Sequence, residues 1–155
     1  MNHGKRTAYS CRRAGRSSGT PRIVPRFEFR SSLAPTDAAS IWQQIAKYPG
    51  ITIFVGVRQK ALVTSCTLVI VPNLTRGGLP YGLIENVVTS ANHRKQSHGA
   101  AVLRHAIAEA WKHNCYKVML LTGSKNPATL KFYSDVGFEQ NKTGFQIRQL
   151  PVREE

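Results

Sequence analysis

The sequence predicts an α/β domain built on a mixed, mostly antiparallel sheet with one parallel step, flanked by helices. Three observations predict it. Ile51 to Val57 and Ala61 to Val71 are β-branched runs separated by the polar Arg58-Gln59-Lys60, which is a hairpin pattern. Leu83 to Leu103 reads as an apolar run, a polar turn and a long segment at helical spacing, so a strand feeds a helix. The nearly all-apolar Lys117 to Thr122 follows that helix and suits a strand buried on both faces. A strand, a helix and a strand in this order form a crossover, with the two strands parallel or splayed neighbours.

The bulk properties narrow the class further. A chain of 155 residues supports one domain with a core and is too short for two ordinary ones. Apolar residues make up 41% and charged residues 19%, within the soluble globular range. No apolar run approaches a membrane span. The basic N-terminus lacks an apolar stretch behind it, so it is not a secretory signal; Arg-rich, Ser-rich and acid-poor, it does fit the composition of an organelle transit peptide. Cys11, Cys66 and Cys115 are far apart and form no zinc spacing, so no metal site is expected and they read as reduced thiols of a cytoplasmic protein.

The net charge of +14 suggests nucleic acid until its distribution is considered. Lys5, Arg6, Arg12, Arg13, Arg16, Arg22, Arg26 and Arg30 oppose only Glu28, so half the charge sits in the first thirty residues. Residues 1–32 therefore read as a basic, flexible arm or an atypical N-terminus, and residues 33–155 as the folded domain. The arm is either a polyanion-binding segment or a solvated tail, and nucleic acid is expected nowhere else. Within it, Arg22 to Phe29 is the one candidate strand.

Along the domain, Pro35-Thr36-Asp37 opens a helix that Thr36 or Asp37 can cap, with Ala38, Ile41, Trp42 and Ile45 on its apolar face and Pro49-Gly50 at its end. The hairpin follows. Pro72 to Pro80 is a loop, and Tyr81 to Thr89 a third strand. From Gly99, Val102, Leu103, Ala106, Ile107, Ala110 and Trp111 make a helical apolar stripe that Asn114 stops. Trp42 and Trp111 are expected in the core. After the crossover strand, Asn126 can cap and Pro127 can begin a helix over Ala128 to Asp135, closed by Gly137. Phe138 starts a last strand pair, with a turn at Gln140 to Gly144 and a final strand from Phe145 to Leu150.

The turn from Ser90 to Ser97 is where an anion can sit. The first N–H groups of a helix have no partner inside it, and the helix dipole favours negative charge there. The expected ligand is the pyrophosphate of a nucleotide-containing cofactor.

Arg94-Lys95-Gln96-Ser97-His98-Gly99 resembles the Arg/Gln-x-x-Gly-x-Gly/Ala loop of the GNAT N-acetyltransferase superfamily. Asn126, followed seven residues later by Tyr133 within Asn-Pro-Ala-Thr-Leu-Lys-Phe-Tyr-Ser-Asp-Val-Gly-Phe, resembles its second signature. The resemblance spans about Pro35 to Arg148 and implies the acyl-CoA N-acyltransferase fold, with splayed central strands and acetyl-CoA as acetyl donor. It implies that backbone groups of Val87, Val88 and Thr89 pair with the pantetheine arm. The loop, Arg94, Lys95, Gln96, Ser97, His98, Gly99 and Ala100, receives the pyrophosphate. Asn126 touches the cofactor near the thioester, and Tyr133 gives a proton to the departing thiolate. The N–H near Val88 is the candidate oxyanion donor.

Two departures from the family pattern stand out. Ser97 replaces the first loop glycine, and it is harmless if it keeps the negative φ usual at a helix start. The family's first strand and helix have no clear counterpart; either Arg22 to Phe29 replaces the strand or the element is missing, which would weaken acceptor binding more than cofactor binding.

Single residues carry alternatives. Glu85 is either a general base for the acceptor ammonium or a structural acid paired with a nearby cation. His98 faces phosphate or is a solvated turn histidine. Tyr133 is the general acid or a core tyrosine beside Phe132. Cys115 is not expected to act as a nucleophile, because this chemistry passes the acetyl group directly to the amine. The acceptor is expected to be a small-molecule amine, such as an amino sugar, polyamine or aminoglycoside, or else a protein amine. Short strings, Ile-Glu-Asn-Val-Val and Asn-Cys-Tyr-Lys, resemble amino-sugar acetyltransferases. Homodimers are common in the family, and no membrane partner is expected.

Overall fold

Gln59 and Lys60 both adopt positive φ, 49° and 66°, so the expected hairpin closes through a two-residue turn whose twist matches that of its strands. The computed structural model describes residues 9–13 and 38–149. The elements are β1 (Tyr9–Arg13), α1 (Ala38–Lys47), β2 (Ile51–Arg58), β3 (Ala61–Val71), β4 (Tyr81–Thr89), α2 (His98–Lys112), β5 (Val118–Leu120) and α3 (Pro127–Val136). They fall into two compact units, Met1–Leu120 and Leu121–Glu155.

In the first unit the five strands lie in sequence order. β1, β2, β3 and β4 pair antiparallel, and β5 joins β4 in parallel, as the crossover requires. Helix α2 covers the face that carries Phe54, Cys66, Leu68 and Ile84 and buries Val102, Leu103, Ala106 and Ala110 against it. The Phe54 ring meets His105 edge-on at 5.1 Å. These positions recur every second residue on the strands and every third or fourth on the helix, the two periods that place apolar side chains on one face.

β1 lies inside the stretch read as a basic arm, where no strand was expected. Tyr9 pairs with Arg58 and Arg13 with Phe54, so the free edge of β2 supplies the ladder that the local sequence does not announce. The strand expected at Arg22 to Phe29 and the caps expected at Thr36 and Asp37 lie outside the described residues.

Two expectations change in this unit. β5 is half-buried rather than buried on both faces, because it is the last strand of the described sheet. Trp111 is 50% exposed rather than in the core. It follows Ala110 by one position, and one residue is about a hundred degrees of helix, enough to turn it off the covered face.

The second unit contains α3, whose Asn126 cap, Pro127 start and Gly137 close (φ 109°) are as expected. The strands expected at Phe138 and at Phe145 to Leu150 do not form among the described residues, and Phe145 and Ile147 are 93% and 99% exposed. Apolar alternation makes a strand only where a neighbour offers hydrogen bonds, and no described strand of this unit does so.

Candidate cofactor and catalytic site

The site begins where β4 loses its parallel neighbour. β5 pairs with Gly82, Leu83 and Ile84 and ends at Leu120, so its ladder does not reach Glu85 to Thr89. On the other side β4 stays paired to β3, but with a bulge. Thr67 pairs with Glu85 and Ser65 with Val88, so one extra residue of β4 stands opposite Cys66. Asn86 takes φ 52° there. A bulge bends its strand and re-aims the residues beyond it, which here are Val87, Val88 and Thr89.

The direction of the backbone groups follows from the pairing. Ser90 N–H donates to Val63 O at 3.0 Å, and Thr64 Oγ1 donates to Val88 O at 2.8 Å. Alternation along an antiparallel strand then turns the Val88 N–H toward Ser65 and those of Val87 and Thr89 toward the edge that β5 leaves open. The Thr64 hydroxyl also lies 3.0 Å from that of Thr89, tying this end of β4 to β3.

After β4, Ala91–His93 form a single 3₁₀ turn, and the loop runs to Ser97, the N-cap of α2. Arg94 Nε donates to Thr89 O at 3.3 Å, folding the loop back on the strand. Arg94, Lys95, Gln96 and Ser97 are exposed, Gly99 is buried and Ala100 is half-buried. Ser97 overturns its expectation. Its φ is 61°, in the left-handed region, and its side chain makes no capping bond. The family glycine is therefore replaced exactly where a Cβ costs energy, about 1–2 kcal/mol for a non-glycine residue in this region. Lys95, at φ 57°, carries the same strain.

His98 is not a solvated turn residue; it is 9% exposed. Burial, then the Arg58 charge, then His93 hold its pKa below the ordinary value of 6.5. It therefore offers a neutral imidazole, not a cation, behind the loop. The positive charge facing an anion comes instead from Arg94, Lys95 and the α2 N-terminus, and Ser90 to Ser97 contains no carboxylate. An open strand edge, an acid-free basic turn and a fifteen-residue helix behind it make a place that can take an anionic ligand.

Glu85 is exposed at the point where β4 leaves β5, and among the described residues it makes no ion pair. Cys115 is buried, and burial pushes its thiol pKa up, away from the thiolate form that nucleophilic attack needs. No cluster of metal-ligating side chains exists among the described residues.

In the second unit, Asn126 Oδ1 accepts from Ala128 N–H at 2.9 Å and so caps α3. Its amide Nδ2 makes no hydrogen bond among the described residues. Tyr133 stands two turns along, half-buried, with Phe132 at 5.0 Å and Phe138 at 6.3 Å, both edge-on.

With these features in place, the class is defined. The chain belongs to the acetyltransferase (GNAT) family, whose sequence profile it matches over residues 22–138. Among curated proteins it is 35% identical over 86 residues to a glucosamine 6-phosphate N-acetyltransferase of Trypanosoma brucei brucei, and it spans 56% of that protein's length. Among solved structures it resembles a putative acetyltransferase from Agrobacterium tumefaciens, with 50% identity, a TM-score of 0.73, and coverage of 77% of this chain and 83% of that one. A Trypanosoma brucei acetyltransferase follows at 28% identity and a TM-score of 0.65, covering 76% of this chain and 82% of that one. No described helix is long and apolar enough to cross a membrane.

Proposed function

We propose that this protein is an N-acetyltransferase that takes acetyl from acetyl-CoA and passes it to a primary amine by direct attack. The observation that carries the reading is the open edge of β4 leading into a basic, acid-free turn at the start of α2. When bound, acetyl-CoA supplies an activated acyl thioester. The outward backbone groups of Val87 and Thr89 pair with the pantetheine amides. The N–H groups from Lys95 to Ala100, with Arg94 and Lys95, hold the pyrophosphate.

The chain's own groups then manage protons. An amine attacks only as the neutral base, and Glu85, exposed and with no ion pair among the described residues, takes the ammonium proton directly or through a water. Of Val87 and Thr89, the one whose N–H the pantetheine arm leaves free donates to the oxyanion of the tetrahedral intermediate. The Tyr133 hydroxyl donates a proton to the departing thiolate. The Asn126 amide, its oxygen committed to the helix cap, uses Nδ2 to steady the acyl chain.

The relative from Trypanosoma brucei brucei favours an amino sugar phosphate as acceptor, and a small-molecule amine of that class is the acceptor proposed. Two measurements test the reading. Calorimetry should detect acetyl-CoA binding, and no heat at millimolar cofactor removes the proposal. Tyr133→Phe should lower kcat by roughly 10²-fold, the usual scale of general acid catalysis, with cofactor affinity unchanged; unchanged turnover removes Tyr133 from this role.

A further inference from the structure

One contact links the pyrophosphate loop to an element that neither signature includes. Arg58, the last residue of β2, shares its face with Phe54 and Gly56 and so points to the side covered by α2. Its Nη1 donates to Gln96 Oε1 at 2.7 Å, across 38 residues of sequence. Gln96 is held at its other end as well, since its Nε2 donates to Asn92 O at 3.2 Å. The residues on both sides of Gln96, Lys95 and Ser97, are the two left-handed residues of the loop. A loop held in such a conformation needs something outside it to keep it there. The lowered pKa of His98, to which the Arg58 charge contributes, agrees with a guanidinium beside the start of α2.

We propose that Arg58 is a positioning residue for cofactor binding: from the β2–β3 hairpin it clamps Gln96 between Lys95 and Ser97 and so pre-forms the loop that receives the pyrophosphate. The hairpin is suited to the task. Arg58 pairs with Ala61 across a two-residue turn, so its position is set by the sheet register and not by the loop itself. The hairpin tip also brings Lys60, so residues 58–60 and 90–97 together carry Arg58, Lys60, Arg94 and Lys95 and no acid. The clamp adds positive charge to the anion site as well as order. A ligand group bound by a loop already in shape does not have to provide the ordering itself.

This inference rests on the proposed acetyl-CoA reading, and its test separates the two. Coenzyme A binding is measured by calorimetry for the wild type, Arg58→Met, Gln96→Met and the double variant. Steady-state rates are measured with acetyl-CoA and with acetyl-pantetheine, which lacks the pyrophosphate. Loss of a charge-assisted hydrogen bond that shapes the loop should raise Kd and KM for the CoA species about tenfold in either single variant. The double variant should be no worse than the weaker single one, because both remove one interaction. The loss should appear as a raised KM rather than a lowered kcat, and should be larger with acetyl-CoA than with acetyl-pantetheine. A Kd unchanged in Gln96→Met, or effects that add in the double variant, overturn the clamp. So does a lower melting temperature with no change in KM. Gln96→Met changes only an exposed loop side chain and keeps the test open if Arg58→Met folds poorly. A wild type that binds no coenzyme A defeats the acetyl-CoA reading itself, whereas a binding wild type with indifferent variants defeats the clamp alone.

Discussion

Ser97 shows how one side chain can mark a site. At φ 61° it occupies a conformation that glycine accepts freely and serine does not, and its hydroxyl makes no capping bond in return. Ser97→Gly should therefore stabilise the protein by about 1 kcal/mol, a gain reduced by the greater freedom of glycine in the unfolded chain. Chemical denaturation measures it, and a loss of stability would show that the serine hydroxyl has a partner of value. His98 gives a second prediction at this scale. Its folded pKa lies below 6.5 while the unfolded chain titrates near 6.5. As pH falls through 6.5, the unfolded state takes up the proton first, so stability declines from that point until the folded pKa is passed. His98→Asn should flatten this part of the stability profile relative to wild type. An identical slope in both proteins would mean that other groups set it.

At the scale of elements, the turn between α1 and β2 is tightly constrained. Gly50 has φ 84°, its carbonyl accepts from Ile70 N–H at 2.8 Å, and a Cβ there would stand 2.8 Å from Ile70 O. Neither backbone can yield without breaking the β2–β3 register that begins at Ile51 and Val69. Gly50→Ala should cost on the order of 2–3 kcal/mol through strain and overpacking together, read as a lower denaturation midpoint at unchanged slope. An unaltered midpoint would mean that this end of the hairpin is loose. The element scale is also where sequence reading did best and worst. The hairpin, the crossover and the α3 caps were legible because turn residues and periodicity are local signals. The strand at Tyr9–Arg13 was not, because β2 creates it by pairing. The absence of a strand at Phe145 was not legible either, because alternation records a capacity and not a partner.

Over the whole molecule, charge is the quantity with a consequence. The excess of +14 lies partly in the first thirty residues and partly in the body, including the hairpin tip and the pyrophosphate loop. An anion bound by exposed cations is screened by salt, with a Debye length of about 10 Å at 0.1 M. Raising ionic strength from about 0.05 to 0.5 M should weaken coenzyme A binding severalfold while leaving acetyl-pantetheine nearly unaffected. Equal sensitivity of the two ligands would place the effect on the fold and not on the phosphate contacts.

The sequence by itself determined the family, the order of most elements, the loop after β4 and the Asn126 and Tyr133 pair, because each is written in neighbouring residues. It also singled out Ser97 but not its φ, since the sign of φ at a helix start depends on the approach of the preceding loop. Only the tertiary structure decided that His98 is buried, that Trp111 is half-exposed, that β4 carries a bulge at Asn86, and that Arg58 reaches Gln96. Each of these depends on what a distant segment places beside the residue, and burial, register and a bond across 38 positions have no local signature.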